Sequence, residues 1–201
     1  MLPINPDNPQ ARLIEKAVDV LKRGGIICYP TDTVYGIGCD IFNQKAVKRL
    51  HQLKGQPKHK PFSFMCCDLK NVSTYCAVSN NAYRLMKKNL PGPYTFVLPT
   101  MKIVPKIMVT TQKTVGIRVP ASPICQMLID MLGNPIVTTT AGLPDKELPS
   151  SAFEVELLFG SQVDEIIDGG EVLPQPSSVI SLVGPEPEVL REGKGDTALF
   201  R

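Results

Sequence analysis

Apolar residues recur every three or four positions in several stretches of the chain, which is the pattern of amphipathic helices. The first stretch, 13–21, follows Asn8-Pro9, where an asparagine side chain can cap a helix and a proline fits its first turn. Gly24-Gly25 ends this predicted helix. The same spacing predicts further helices over 46–53, 68–75, 80–90, 122–132 and 151–159.

Short runs of β-branched and aromatic residues lie between these helices and predict strands. The segment 31–38 is interpreted as a turn-rich loop, and 193–201 as an ordered surface strap. Strands alternate with helices along most of the chain and follow one another near its end. This order predicts an α/β fold with an open, twisted, mixed sheet and flanking helices. We expect one domain over 1–201, with strands over 26–29, 62–66, 94–98, 114–119, 136–140, 163–167, 177–182 and 188–191.

Composition places the chain among ordinary globular proteins, since 43% of its 201 residues are hydrophobic and 20% are charged. The formal net charge of +3 is too small to identify an anionic partner, so the distribution of charge has to decide. No signal peptide is visible and no apolar run approaches ~18 residues, so we expect a cytoplasmic protein that does not enter a membrane. The six cysteines form no C-x-x-C motif, which predicts reduced, buried thiols and no metal site.

The first candidate for binding chemistry is the segment 30–38, Pro-Thr-Asp-Thr-Val-Tyr-Gly-Ile-Gly, which follows a predicted buried strand. Ligands of open α/β sheets bind at the carboxyl ends of strands, and Thr31 and Thr33 place hydroxyl groups there. Gly36 and Gly38 permit a positive φ or a close approach of the backbone. A tight turn with its own hydroxyl hydrogen bonds explains the same residues, so both interpretations stay open.

The second candidate for binding chemistry is the segment 54–60, which has the strongest local excess of positive charge in the chain. Lys54, Lys58, His59 and Lys60 fall within seven residues that contain no acid. Such a cluster attracts phosphate groups, either from a nucleotide or from RNA. A solvated surface loop is the alternative.

Two further features favour an anionic ligand. The segment 137–144 ends a predicted strand with three threonines, whose hydroxyls suit an anion, although threonine also favours strands for its shape. Arg118 and Arg191 each lie in an apolar strand, where a guanidinium needs a structural carboxylate or the carboxylate or phosphate of a ligand. The sequence shows no Ser-His-Asp or Cys-His set, so acid–base hydrolysis lacks support from these residues, whereas catalysis by positioning and electrostatics requires no such set.

Seven motifs follow one another in the order seen in the YrdC/YciO family, and they cover nearly the whole chain. They are YPTDTVYGIG, LKGQPKHKPFSFM, PGPYTFVL, GIRVP, VTTTAGLP, PSSVI and VLREGKGD. The chain resembles this family, and its opening INPDNPQARLI and its ending REGKGD look most like the YciO branch.

The resemblance implies a YrdC-like fold with a large, positively charged concave cleft. The best understood members are threonylcarbamoyl-adenylate synthases, which combine threonine, bicarbonate and ATP, release pyrophosphate and supply the threonylcarbamoyladenosine modification of tRNA. The family has also been linked to double-stranded RNA. The implied partners are therefore ATP with Mg²⁺ as a substrate, threonine, bicarbonate or a related adenylate, and tRNA or double-stranded RNA, with no tightly bound cofactor.

The resemblance also implies roles for individual residues. Arg118 would hold the threonine carboxylate, and Thr31, Thr33 and Tyr35 would contribute to the same substrate site. Thr140 would take the place of the serine in the family's Ser-x-Asn motif. The nucleotide would be bound by Lys54, Lys60, Thr138, Thr140, Ser177 and Arg191, and RNA by Lys54, Lys58, His59 and Lys60.

The chain departs from the synthase pattern at three positions. The family's Lys-x-Arg reads Lys54-Gly-Gln56, its Ser-x-Asn reads Thr140-Ala-Gly142, and a histidine after the basic segment is replaced by Met65. Loss of one charge-assisted contact of about 1.5–3 kcal/mol weakens binding about 10- to 150-fold. Four functions therefore stay open: a synthase, an enzyme that consumes the adenylate, a non-catalytic RNA-binding protein and an unrelated nucleotide-binding regulator.

Overall fold

The computed structural model of the protein describes residues 1–55, 62–144 and 146–200. Ten strands within these residues form one sheet, and six α-helices pack against it. The strands are β1 (Leu2–Pro3), β2 (Ile27–Pro30), β3 (Tyr35–Asp40), β4 (Ser63–Met65), β5 (Tyr94–Pro99), β6 (Thr114–Arg118), β7 (Ile136–Thr140), β8 (Glu165–Asp168), β9 (Ser178–Ser181) and β10 (Glu188–Arg191). The helices are α1 (Ala11–Lys22), α2 (Gln44–Lys54), α3 (Leu69–Tyr75), α4 (Asn80–Asn89), α5 (Pro123–Leu132) and α6 (Ala152–Phe159).

The sheet is open and mixed, which confirms the predicted fold class. Its strand order is β1-β8-β2-β3-β7-β4-β6-β5-β9-β10. Four neighbouring pairs are parallel: β1 with β8, β8 with β2, β4 with β6, and β5 with β9. The remaining pairs are antiparallel, including β9 with β10 at the end of the chain.

Two hydrophobic clusters lie on opposite faces of the sheet. Helices α2, α3, α4 and α6 contribute to the larger cluster. Helices α1 and α5 pack on the other face, above Ile27, Tyr29, Met65 and Ile136. Residues that pair across neighbouring strands share a face, so Thr138 and Ser63 lie on the face that α1 and α5 cover in part. The functional site lies on the uncovered part of this face.

The segment 31–38 was predicted to be a loop, and that prediction is wrong for its second half. Strand β3 begins at Tyr35 and pairs with β2 in an antiparallel hairpin, with Tyr29 opposite Gly36 and Ile27 opposite Gly38. The turn closes where the backbone N–H and the hydroxyl of Thr31 both donate to the carbonyl of Val34. Two glycines lower the strand propensity of the segment, which is why the pattern failed to indicate a strand.

The two ends of the chain also differ from expectation. Helix α1 begins at Ala11 with Gln10 at its N-cap, rather than at Pro9 after an Asn8 cap, because the Asn5 side chain accepts from the backbone of Asp7 and Asn8 and holds these residues in a turn. The described residues of the final segment, 193–200, form more than the surface strap that was expected. Phe200 is buried, and its ring centroid lies 5.8 Å from those of both Tyr94 and Phe96.

All six cysteines lie in the described residues as free thiols, and five of them are buried. Burial raises the pKa of Cys39, Cys76 and Cys125 to about 12. Burial is therefore as predicted for five of the six cysteines, and Cys67 is partly exposed. Within the described residues, no helix combines the length and apolar character needed to cross a bilayer.

Candidate functional site

A cavity of about 440 Å³ opens on the uncovered part of the sheet. Its described lining carries three charged side chains, and all three are cations. Hydroxyl groups from several strands and an apolar wall complete it. The lining residues are Val34, Gly36, Lys54, Phe62, Ser63, Thr95, Arg118, Thr138, Thr139, Thr140, Gly142, Leu143, Pro144, Leu148, Pro176, Ser177 and Arg191.

Two glycines shape the floor of the cavity by making room for Tyr29. A Cβ added at Gly36 would lie 2.7 Å from Cε2 of Tyr29, and one at Gly38 would lie 2.7 Å from its hydroxyl and 2.0 Å from the Val137 carbonyl. Neither glycine has a positive φ. Of the two explanations offered by the sequence, close approach is therefore the correct one. Tyr29 passes over both glycines and donates to Oγ1 of Thr138 across 2.9 Å.

Arg118 at the end of β6 has one nitrogen of its guanidinium group hydrogen-bonded and another without a partner among the described residues. Its Nη2 donates to Oδ1 of Asp32 and to Oγ1 of Thr33, each across 2.8 Å. Only 7% of the residue is exposed, and its Nε–H is buried without a hydrogen-bond partner among the described residues. The structural carboxylate predicted as one alternative is thus present. The unpaired Nε–H leaves room for the other alternative, a ligand.

The hydroxyls of Thr31 and Thr33 serve the turn that carries Asp32. The Thr31 hydroxyl donates to the carbonyl of Val34 and lies 3.0 Å from the Thr33 hydroxyl. Because the Thr31 proton is already used, the Thr33 hydroxyl donates to Thr31 and accepts from Arg118. Thr33 therefore positions the guanidinium, and neither threonine lines the cavity.

Lys54 reaches the cavity from the last turn of α2. Its ammonium group donates to the carbonyls of Thr140 and Gly142 and lies 5.6 Å from the centroid of the Phe159 ring. Only 4% of the residue is exposed. These contacts fix Lys54 to the segment after β7 and hold its charge at the wall of the cavity.

Arg191 at the end of β10 is the third cation. Its Nε and Nη2 donate to the carbonyl of Ser177 across 3.1 and 2.7 Å, and Nη2 lies 3.3 Å from the Ser177 hydroxyl. That hydroxyl is 2.8 Å from the Thr95 hydroxyl. Partial burial and then the charge of Arg118 lower the pKa of Arg191. An anion between the two guanidinium groups would relieve this repulsion.

A leucine occupies the space beside Gly142. A Cβ added at Gly142 would lie 2.7 Å from Cδ2 of Leu148, and Leu143 and Pro144 continue the apolar wall. The family's asparagine amide would stand at this position. An apolar side chain therefore lies beside Gly142, whose carbonyl is one of the two that hold Lys54.

The structure brings together six of the residues that the sequence indicated. Tyr35 is not among them, because its hydroxyl donates to the carbonyl of Gly170 across 2.7 Å and its ring belongs to the larger core. Met65 is fully buried beneath α5 and does not line the cavity. Gln56, Lys58, His59 and Lys60 lie outside the described residues. The six that line the cavity are Lys54, Arg118, Thr138, Thr140, Ser177 and Arg191.

Sequence reasoning did not single out Asp32, Tyr29, Leu148 or Lys194. Asp32 stands between the two threonines that were noted, and an acid there was a usable signal for a nearby cation. Lys194 donates to the carbonyl of Asp32 across 2.5 Å, which ties the C-terminal segment to the same turn. The two residues are 162 positions apart, so no local sequence pattern could have indicated this hydrogen bond. Within the described residues, no group of three or more His, Cys, Asp or Glu side chains is placed to hold a metal ion.

Comparison with known proteins identifies relatives along the whole chain. The Sua5/YciO/YrdC family model, described as telomere recombination, matches residues 19–193. The chain is 44% identical to the uncharacterized protein YciO of Escherichia coli K12 over 199 residues, which are 98% of this chain and 97% of that protein. The crystal structure of E. coli YciO matches with a TM-score of 0.95 and covers 100% of this chain and 98% of that one.

A second relative carries a name that describes an activity. The threonylcarbamoyl-AMP synthase of Pyrococcus abyssi is 34% identical over 182 residues, which are 90% of this chain and 54% of that protein. The crystal structure of P. abyssi Sua5 complexed with L-threonine matches with a TM-score of 0.89 at 32% identity, over 96% of this chain and 58% of that one. The chain thus spans little more than half of the archaeal protein. The chain belongs to the Sua5/YciO/YrdC family.

Proposed function

We propose that the cavity binds an adenylate that carries a threonine-derived group, or the ATP and threonine from which such an adenylate is made. The observation that carries this proposal is the convergence of Arg118 and Arg191 on one cavity. The buried Nε–H of Arg118 has no partner among the described residues, and Arg191 contacts a carbonyl and a hydroxyl rather than an acid. A buried donor without a partner is costly, and a ligand oxygen would satisfy it.

The lining supports a division of the cavity between two anionic groups. Arg118 can donate single hydrogen bonds from its Nε–H and its Nη1 to the carboxylate of threonine, because Asp32 and Thr33 occupy only its Nη2. Lys54, Arg191 and the hydroxyls of Thr138 and Ser177 supply donors for phosphate oxygens. A volume of about 440 Å³ lies in the range of small-molecule sites.

In the synthase direction, the threonine nitrogen and bicarbonate would form a carbamate with loss of water. An oxygen of this carbamate would attack the α-phosphorus of ATP, and pyrophosphate would leave with Mg²⁺ bound to its oxygens. Such a transfer depends on positioning and on neutralisation of charge rather than on a side-chain base. This requirement suits a lining in which the described charged residues are Lys54, Arg118 and Arg191.

A second candidate is an enzyme that consumes a finished adenylate. The observation that favours it is Leu148, which fills the side-chain space at Gly142 and removes a polar contact that a synthase would use near the nucleotide. Such a site would retain the cations that bind an adenylate while it holds ATP less well.

One experiment separates the two directions. The purified protein is incubated with ATP, Mg²⁺, bicarbonate and labelled threonine, and in a parallel reaction with threonylcarbamoyl-adenylate alone. Pyrophosphate together with a labelled adenylate would establish a synthase, whereas release of AMP from the supplied adenylate would establish consumption. If neither reaction proceeds and calorimetry detects no binding of the adenylate, the proposed function is wrong. The P. abyssi synthase serves as the positive control.

A further inference from the structure

The C-terminal segment is fixed to the sheet on both sides of one lysine, Lys194. The backbone N–H of Lys194 donates to the carbonyl of Pro176 across 2.8 Å. The backbone N–H of Gly193 donates to Oγ of Ser178 across 3.0 Å, and the Ser178 hydroxyl donates to the carbonyl of Gly195 across 2.5 Å. Three successive residues are therefore hydrogen-bonded to the segment that contains β9, and the backbone of Lys194 has a defined place.

Aromatic packing holds the rest of this segment. A Cβ added at Gly195 would lie 2.4 Å from Cε1 of Tyr94, so the backbone packs directly on that ring. The Tyr94 hydroxyl donates to the carbonyl of Asp196 across 3.1 Å, and Phe200 is buried against the same ring. The position of Lys194 is thus set by its neighbours in the segment and does not depend on its own side chain.

The side chain of Lys194 crosses from this segment to the turn that carries Asp32. Although the residue is exposed, its ammonium group donates to the carbonyl of Asp32 across 2.5 Å. The carboxylate of Asp32 accepts from Nη2 of Arg118 across 2.8 Å and from the backbone N–H of Ala121 across 3.2 Å. Two charge-assisted hydrogen bonds through one residue therefore connect Lys194 to a guanidinium that lines the cavity.

We propose that Lys194 is a positioning residue for the end of the cavity that takes the carboxylate of the threonine-derived group. This inference rests on the proposed function, which assigns that carboxylate to Arg118. Lys194 holds the backbone of Asp32, and the Asp32 carboxylate then fixes Nη2 of Arg118, so that the Nε–H and Nη1 keep defined positions for the ligand. Lys194 does not line the cavity, so its effect passes through Asp32 and not through contact with the ligand.

The phosphate end of the cavity should not depend on the Lys194 side chain. Lys54 is held by two carbonyls after β7, and Arg191 is held by the carbonyl of Ser177. Neither cation is hydrogen-bonded to the turn that Lys194 holds. Loss of the Lys194 ammonium should therefore weaken a ligand that carries the carboxylate and spare a ligand that carries only the nucleotide.

Calorimetry with threonylcarbamoyl-adenylate and with AMP tests this difference. Lys194→Ala should bind the adenylate about fivefold more weakly than the parent, as loss of one hydrogen bond predicts, and should bind AMP within about twofold of the parent. Lys194→Arg keeps a donor on a long side chain and should recover most of the loss. The matched control is Lys102→Ala, which removes the same charge beyond Pro99, at the opposite end of β6 from Arg118. It should bind both ligands as the parent does, because salt screens so distant a charge.

Equal losses for the two ligands would overturn the proposal, because they would show an effect of charge or of stability on the whole cavity. An unchanged affinity for the adenylate in Lys194→Ala would overturn it too. In the double variant with Arg118→Lys the two losses should not add, and full additivity would show that Lys194 acts without Arg118.

A second measurement needs no ligand and keeps this inference apart from the proposed function. Hydrogen exchange at the buried Nε–H of Arg118, followed by NMR of protein that contains isotope-labelled arginine, should be faster in Lys194→Ala than in Lys102→Ala. Equal exchange in the two variants would overturn the positioning role. If exchange is faster but the parent protein binds no adenylate, the positioning of Arg118 by Lys194 stands and the proposed function is wrong.

Discussion

Tyr29 donates its hydroxyl proton to Oγ1 of Thr138 across 2.9 Å, at the border between the part of the sheet that helices cover and the part that forms the cavity. Burial raises the pKa of Tyr29 well above its ordinary value, so the phenol remains a donor. Because Thr138 accepts this bond, its own proton is available to the cavity. Tyr29 thus helps to position the Thr138 hydroxyl and makes it a hydrogen-bond donor toward the cavity.

Replacing Tyr29 by Phe tests this relationship. Tyr29→Phe removes only the hydroxyl, so the fold should persist while affinity for a phosphate-bearing ligand falls about fivefold, as expected for one hydrogen bond of about 1 kcal/mol. Calorimetry with AMP is the measurement. Thr138→Val should show a similar loss, and the double variant should lose no more than Thr138→Val alone. Additive losses would mean that Tyr29 acts elsewhere.

Gly38 is expected to tolerate no side chain. In Gly38→Ala the new Cβ would meet the Val137 carbonyl at 2.0 Å and the Tyr29 hydroxyl at 2.7 Å. A backbone atom cannot move aside easily, so the free energy of unfolding should fall by about 3 kcal/mol, measured by urea denaturation. The control is Gly184→Ala, where the nearest atom is 3.7 Å away and the change should stay within about 0.5 kcal/mol. Equal stability of the two variants would contradict the close packing of Tyr29.

The elements of the fold were predictable wherever the local pattern agreed with the final packing. Helix α5 is an example, since Ser122 caps it, Pro123 starts it, and Gly133 ends it with a φ of 76°. Strand β3 was missed because it contains two glycines, which are unusual in strands. They are needed there because Tyr29, a residue on another strand, packs against their backbone. Local propensity carries no information about such a contact.

Residues of the candidate site were likewise predictable where their signal is local, and not where it depends on a distant contact. Arg118 and Arg191 were recognisable because a charge within an apolar strand is unusual, and both line the cavity. Thr33 was expected to touch the substrate, and in the structure its hydroxyl accepts from Arg118 while the residue does not line the cavity. A sequence shows that a hydroxyl is near a site, but only the count of donors and acceptors shows whether its proton is free. Lys194 reaches Asp32 only because the chain returns to the first hairpin at its end.

The buried thiols predict a loss of stability in alkaline solution. Burial raises the pKa of Cys39, Cys76 and Cys125 from 9.0 to about 12. Above pH ~9 the unfolded chain loses these protons while the folded chain keeps them, so stability falls as pH rises, by about 1.4 kcal/mol per unit for each thiol. Below pH ~9 these groups should cause no change.

Urea midpoints at pH values of about 7.5, 9 and 10.5 measure this effect. Cys125→Ala removes one of the three thiols, so its stability should decline less steeply with pH. A midpoint that stays constant up to pH ~10.5 would show that the thiols ionise in the folded protein.

Gly142 and Leu148 offer a way to test whether an amide at position 142 strengthens the binding of ATP. Gly142→Asn alone would place its Cβ 2.7 Å from Cδ2 of Leu148, so the amide needs the additional change Leu148→Ala. We expect the double variant to bind ATP about tenfold more tightly than the parent, as one added contact of about 1.5 kcal/mol allows. Leu148→Ala alone is the control for enlarging the cavity. A gain that appears equally in the control would assign the effect to space rather than to the amide.

Substitutions of Arg118 and of Asp32 should change the affinity for a ligand in opposite directions. Arg118→Lys keeps the charge but loses the Nε–H and Nη1 donors at their fixed positions, so affinity for threonylcarbamoyl-adenylate should fall about 10- to 150-fold. Asp32→Asn keeps an oxygen that accepts from Arg118 while it removes a competing negative charge, so affinity should stay the same or rise. If the ion pair were only structural, both variants would lower the melting temperature and neither would change affinity. Calorimetry and thermal unfolding on both proteins therefore distinguish a ligand-binding guanidinium from a structural one, and unchanged affinity in folded Arg118→Lys would remove Arg118 from the site.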